Sequence, residues 1–182
     1  NLRSWVATYL SGLEISWFSS SNVGFGVSGS GAIPAFTVVN TGSVPLISTV
    51  SVTAKTATCT GSTQVFTVTA NPTPTVTALS NLTYCGAVTA PAILFTSLTP
   101  STTYAWTSTS NVGFGTMGTG NITSYNVSNP VAAATTATVS VIPTANTCVG
   151  TASRFTITIN PSPIASVATD TIICAGTKGN AI

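Results

Sequence analysis

The chain predicts an all-β fold, built as tandem β-sandwich domains of about 89 residues each. The first observation behind this is a repeat. Ser21-Asn22-Val23-Gly24-Phe25-Gly26 returns as Ser110-Asn111-Val112-Gly113-Phe114-Gly115. The same step of 89 residues carries Trp17 to Trp106, Asn40 to Asn129, Cys59 to Cys148, Phe66 to Phe155, Asn71-Pro72 to Asn160-Pro161 and Cys85 to Cys174. A period this long exceeds a solenoid turn and fits a whole small domain. The second observation is alternation of apolar and polar residues in short runs, with no helix-period stretch longer than a turn or two. The third is composition: 43% of the chain is hydrophobic and rich in Val, Ile, Thr, Phe and Tyr, residues that suit a pleated, half-buried surface.

The expected strands follow in chain order. Residues 33–38 form one, after the glycine-rich turn 24–31. Residues 48–53 and 65–70 alternate cleanly and enclose the turn-rich stretch 54–61, which reads as a long β-hairpin carrying Cys59. The next repeat adds strands at 92–97, 103–107 and 122–127, the last preceded by the turn 113–120. Its hairpin is 137–142 with 154–159, and Cys148 lies between the two. About seven short strands with frequent turn signals read as a sandwich. Asn71-Pro72-Thr73-Pro74 and Asn160-Pro161-Ser162-Pro163 read as short, stiff spacers that hold successive domains apart. The divisions are therefore 1–71, a first sandwich repeat lacking its opening strand; 72–160, a complete repeat; and 161–182, the opening segment of a third. Residues 1–10 match 90–99 poorly at this step.

Charged residues make up 3% of the chain, against about 25% in ordinary globular proteins. The set is Arg3, Glu14, Lys55, Arg154, Asp170 and Lys178, with no histidine. Six scattered charges build no phosphate-binding face, so nucleic acid is not an expected partner. No run of about 18 apolar residues is present, so no membrane insertion is expected, and the N-terminus shows no signal-peptide pattern. A neutral surface of hydroxyls and amides fits glycosylation, association, or membership of a much larger chain.

Acid–base chemistry needs a histidine or paired carboxylates. Glu14 and Asp170 stand in different repeats, where Thr103 and Asn81 occupy the matching places. Calcium needs more carboxylates than these two. The run 113–120 lacks the Lys-Ser/Thr and the helix of a phosphate loop, and reads as a turn. The chain is expected to be no enzyme and to hold no cofactor or metal. The four cysteines are spaced 26, 63 and 26 residues apart without a CxxC pair. That argues against zinc and for disulfides in an oxidising, extracellular setting; buried free thiols are the other reading. Trp17 and Trp106 read as core, with stacking on sugars the other reading. Phe25 and Phe114, flanked by glycines, either cap the core or sit exposed as surface contacts. Asn81, Asn121 and Asn126 stand in N-glycosylation triplets.

The segments 103–107, 118–122, 137–150 and 155–163, with the openings Tyr84-Cys85-Gly86 and Ile173-Cys174-Ala175-Gly176, carry a family likeness. In order and spacing they resemble the immunoglobulin-like (PKD-like) tandem repeats of large Bacteroidota cell-surface proteins. The resemblance covers nearly all of the chain after residue 11. It implies type IX secretion, a cell-surface or extracellular location, and a structural role in adhesion, gliding or filaments, with no catalytic residues. Asp170-Thr171-Ile172 resembles the O-glycosylation acceptor of the same phylum, which makes Thr171 a glycosylation candidate. The resemblance further implies that Cys85 pairs with Cys148 inside one repeat, leaving Cys59 and Cys174 to partners elsewhere. Pairing across the junctions, Cys59 with Cys85 and Cys148 with Cys174, is the rival. The expected partners are neighbouring repeats of the same chain or identical subunits in a filament. The alternatives are a carbohydrate- or surface-binding module whose partner is surface polysaccharide, and a filament subunit that polymerises by strand donation of the tail 161–182.

Overall fold

The structure, a computed structural model, describes residues 12–129, 131–163, 172, 174–176 and 178. The described residues are all-β, with no helix. Twelve strands follow one another: β1 (Glu14–Ser19), β2 (Ser28–Ser30), β3 (Leu46–Lys55), β4 (Gln64–Ala70), β5 (Leu82–Cys85), β6 (Thr89–Ala90), β7 (Thr103–Ser108), β8 (Met117–Thr119), β9 (Tyr125–Asn126), β10 (Thr135–Ala145), β11 (Cys148–Val149) and β12 (Ser153–Asn160).

In the first repeat the strands form one sheet in the order β2-β1-β3-β4, all antiparallel. In the second repeat the corresponding strands run β8-β7-β10-β12, and a fifth strand, β5, lies parallel to β12 on its outer edge. Strand β11 adds to β10 at the hairpin tip. Facing this sheet is a layer held by the β6–β9 ladder, the bridge Ile93↔Ile122, and the hydrogen bond from Thr77 N to Thr96 O. Between the two layers lies the core of Trp106, Val139, Val141, Phe155, Ile157 and Ile159 against Ile93, Phe95, Ile122, Tyr125 and Val127. Period-2 alternation explains it: on β12 Phe155, Ile157 and Ile159 point inward while Arg154 points to solvent.

Sequence alternation locates both long hairpins and β7, but three expected strands and two expected turns need correction. Of 122–127 only Tyr125–Asn126 form a strand, β9, with a separate bridge at Ile122, and the stretches 24–31 and 113–120 contain the short strands β2 and β8. The stretch 92–97 contributes a bridge at Ile93 rather than a ladder, because the Asn121 side-chain carbonyl accepts the Phe95 N–H at 2.9 Å. Residues 33–38 form no ladder among the described residues, although Val39 N donates to Val23 O at 3.0 Å. In 92–97 alternation reports which side chains face inward, with Ile93 and Phe95 buried and Leu94 and Thr96 exposed; in 33–38 the half-buried Ile33 and Phe36 stand three apart, off the strand period.

The proline segment is also not a free spacer. Pro72 and Pro74 are fully buried, and the Pro74 carbonyl oxygen lies 1.9 Å from where a Cβ on Gly150 would stand. The linker is laid into the hairpin end of the second repeat. Its rings gain cover there, and prolines have no N–H to leave unpaired. At the same junction the Asn71 side chain donates to the Asn146 carbonyl at 3.1 Å. The end of β4 therefore meets the β10–β12 hairpin, and the two repeats follow head to tail.

Candidate functional site

The aromatic cluster is built the same way in both repeats. Asn22 Oδ1 accepts the N–H groups of Gly24 and Gly26 at 2.9 and 3.0 Å, and Asn111 Oδ1 accepts those of Gly113 and Gly115 at 3.0 and 2.9 Å. These asparagine-centred turns swing Phe25 and Phe114 over the core. Phe25 packs edge-on against Trp17 and Phe36, at centroid distances of 5.6 and 4.8 Å. Phe114 does the same against Trp106 and Tyr125, at 5.4 and 4.8 Å. Both phenylalanines are half-buried, so they occupy the place of core caps, not of free contact side chains. Trp17 and Trp106 are buried, as expected of core residues.

The two repeats differ most along one face. In the second repeat the segment 76–97 covers the sheet, with Val76, Leu79, Leu82 and Tyr84 packed on the core. The Asn81 side-chain carbonyl accepts Thr156 N at 2.8 Å, just ahead of the parallel β5–β12 ladder. Burial pushes the Tyr125 phenol above its ordinary value, and the neighbouring Tyr84 phenol adds to the shift. Tyr104 is raised by burial as well.

In the first repeat the matching surface is open among the described residues. Phe66 and Val68 are half-buried where Phe155 and Ile157 are buried. Ile33 and Phe36 are half-buried where Ile122 and Tyr125 are buried. Val38 is 54% exposed, whereas Val127 is 2% exposed. Among the described residues, β4 pairs only with β3, so its outer edge presents unpaired backbone. An apolar groove bounded by a strand edge is suited to receive an extended segment.

The cysteines are distributed at the ends of the repeats. Cys85 is exposed and sits opposite Asn160 at the end of β5. Cys148 sits opposite Ala145 at the hairpin tip, at the other end of the sheet. The eight residues of β12 between these ends span about 23 Å. A disulfide needs Cα atoms within about 7 Å, so pairing of Cys85 with Cys148 inside one repeat is excluded. Cys59 is exposed in the β3–β4 hairpin, where Thr56 N donates to Cys59 O at 2.8 Å. That hairpin lies at the end of the first repeat away from the junction. Cys59 and Cys85 thus occupy opposite poles of the two-repeat unit, and they cannot pair within one chain. Cys174 is exposed. Thr171 lies outside the described residues.

Among the described residues no group of three or more Cys, Asp or Glu side chains is placed to hold a metal. No helix there is long and apolar enough to cross a membrane. Asn81, Asn121 and Asn126 each use the side-chain carbonyl in a hydrogen bond, to Thr156 N, Phe95 N and Thr89 Oγ1 respectively. No family model and no curated protein matches the chain.

Proposed function

We propose that this chain is a structural element of an extracellular filament or stalk. Its immunoglobulin-like repeats stack end to end, and its opening-type segment, 161–182, completes the first repeat of a second molecule by strand donation. The observation that carries this reading is the contrast between the filled groove of the second repeat and the open groove of the first. The segment that fills the former is 76–97, and the chain holds another version of its part up to residue 93 within 161–182.

Two matched departures between these segments support the pairing. Asn81, whose carbonyl accepts Thr156 N, becomes Asp170 at the same step. A carboxylate keeps the acceptor for the corresponding Thr67 N–H and strengthens it. The adjacent phenols of Tyr84 and Tyr125 are replaced by Ile173 and Phe36. A polar pair in the second repeat thus corresponds to an apolar pair drawn from the tail of one molecule and the groove of the other. Neither change is needed if the tail and the first repeat never meet.

The near absence of charge fits a subunit that associates, because little repulsion opposes packing of like surfaces. An adhesin or gliding-type surface protein of the kind the repeats resemble is the setting this reading implies. The test is assembly of the full chain against a chain ending at Asn160, followed by light scattering and electron microscopy. The full chain is expected to form linear filaments, and the truncated chain to stay monomeric with both repeats folded. Polymerisation of the truncated chain would overturn strand donation.

A further inference from the structure

We infer that consecutive molecules in the filament are locked by a disulfide between Cys85 of one molecule and Cys59 of the next. This inference rests on the end-to-end stacking proposed above and extends it to a covalent bond.

The junction inside the chain supplies the geometry. The Asn71 side chain, at the end of β4, reaches the carbonyl of Asn146 in the following hairpin, two residues before Cys148. At the end of the second repeat Asn160 takes the place of Asn71, and Cys85 lies beside it across the β5–β12 ladder. Neighbouring strands are about 4.8 Å apart. A further repeat stacked on this end in the same way would bring its own hairpin to Asn160. For a second molecule that hairpin is Thr56-Ala57-Thr58-Cys59, with Ala57 at the place of Asn146. Cys85 is thus one strand spacing from the asparagine that makes the junction contact. Cys59 is two residues from the carbonyl that receives it.

Other features of both poles agree. Cys59 and Cys85 are both exposed, so both are accessible to an oxidant and to each other. Gly86 N donates to Asn160 O at 3.0 Å, and a Cβ on Gly86 would lie 2.2 Å from Ser162 Oγ, so the pole carrying Cys85 is folded onto the outgoing chain. The two hairpins are held alike: Gly61 N donates to Ala54 O at 2.8 Å, and Gly150 N to Pro143 O at 2.9 Å. The step of 89 residues carries Cys59 to Cys148 and Cys85 to Cys174. The same relation therefore sets Cys174 of a donated tail against Cys148 of the molecule that receives it.

The oxidant is a disulfide-bearing thiol oxidant of the extracellular compartment. The Cys59 thiolate attacks one sulfur of its disulfide, breaking the S–S bond and giving a mixed disulfide. The Cys85 thiolate of the preceding molecule then attacks the Cys59 sulfur and expels the oxidant as a dithiol. Two cysteine thiols are oxidised, the oxidant takes up the two electrons, and the two thiol protons balance its reduction.

The test uses assembled filaments, denatured without reductant after free thiols are alkylated. The expected result is a ladder at multiples of 18.2 kDa that collapses to the single chain on reduction. Peptide mapping should recover one species joining the Cys59 and Cys85 peptides. A Cys59→Ser/Cys85→Ser chain is expected to assemble still, and to lose that species. Filaments in which Cys59 and Cys85 are both quantitatively alkylated would overturn the disulfide while leaving the stacking intact. Failure of the full chain to assemble at all would instead sink the reading on which it rests, and the disulfide with it.

Discussion

Val127→Asp unfolds the second repeat, whereas Val38→Asp leaves the first repeat folded and stops assembly. The two valines hold the same place in the repeat, 89 residues apart. Val127 is 2% exposed in a closed core, and a carboxylate there has no partner. Burying an unpaired charge costs about 4 kcal/mol or more, a large part of the 5–15 kcal/mol that holds a typical domain. Val38 is 54% exposed, so an aspartate there stays hydrated and changes the stability of the free chain by about 0.5 kcal/mol at most. Once a donated strand covers the groove, the same carboxylate is buried. A penalty of about 3 kcal/mol then weakens association roughly 100-fold. Thermal melting and light scattering on both variants separate these effects. Equal destabilisation of the two monomers would show that the groove is already closed within one chain.

Gly113→Ala should destabilise the second repeat by about 4 kcal/mol. Gly113 has φ +126, a conformation L side chains rarely adopt, and an added Cβ would stand 2.0 Å from the Asn126 carbonyl oxygen. Backbone strain of about 1–3 kcal/mol adds to a steric cost of similar size, because Asn126 is fixed in the β6–β9 ladder. The turn also carries Phe114 onto Trp106, so its loss loosens the cap on the core. Gly24 is built alike, with φ +125 and the Thr37 carbonyl oxygen 2.0 Å from the added Cβ. Chemical denaturation of Gly113→Ala should show an early transition for the second repeat alone. An unchanged midpoint would mean that this turn can shift without loss.

The features legible in the sequence were those with local causes. Alternation reported the paired hairpins β3–β4 and β10–β12, but the glycine runs 24–31 and 113–120, expected to be turns, each contain a short edge strand, β2 on β1 and β8 on β7. Strand β5 was not legible, because Leu82–Cys85 earns its place by parallel pairing with β12, more than 70 residues away along the chain. Residues 33–38 form no ladder among the described residues, and their half-buried Ile33 and Phe36 stand three apart, off the strand period that alternation assumes. The prolines after Asn71 look like a spacer in one dimension and prove to be buried packing in three. Cysteine spacing could not say which thiols share an end of the sheet. Strand register does, and it separates Cys85 from Cys148. The uncovered groove of Ile33, Phe36, Val38, Phe66 and Val68 required the structure.

The most direct measurement is a density map of the assembled filament, read along the outer edge of β4. Proposed strand donation places residues 171–174 of a neighbouring molecule there, parallel to residues 68–71. That is the register in which Leu82–Cys85 follows residues 157–160. Continuous density that leads from this strand back to Asn160 of a different molecule is the expected result. An edge left bare, or covered by a segment of the same molecule, would contradict it.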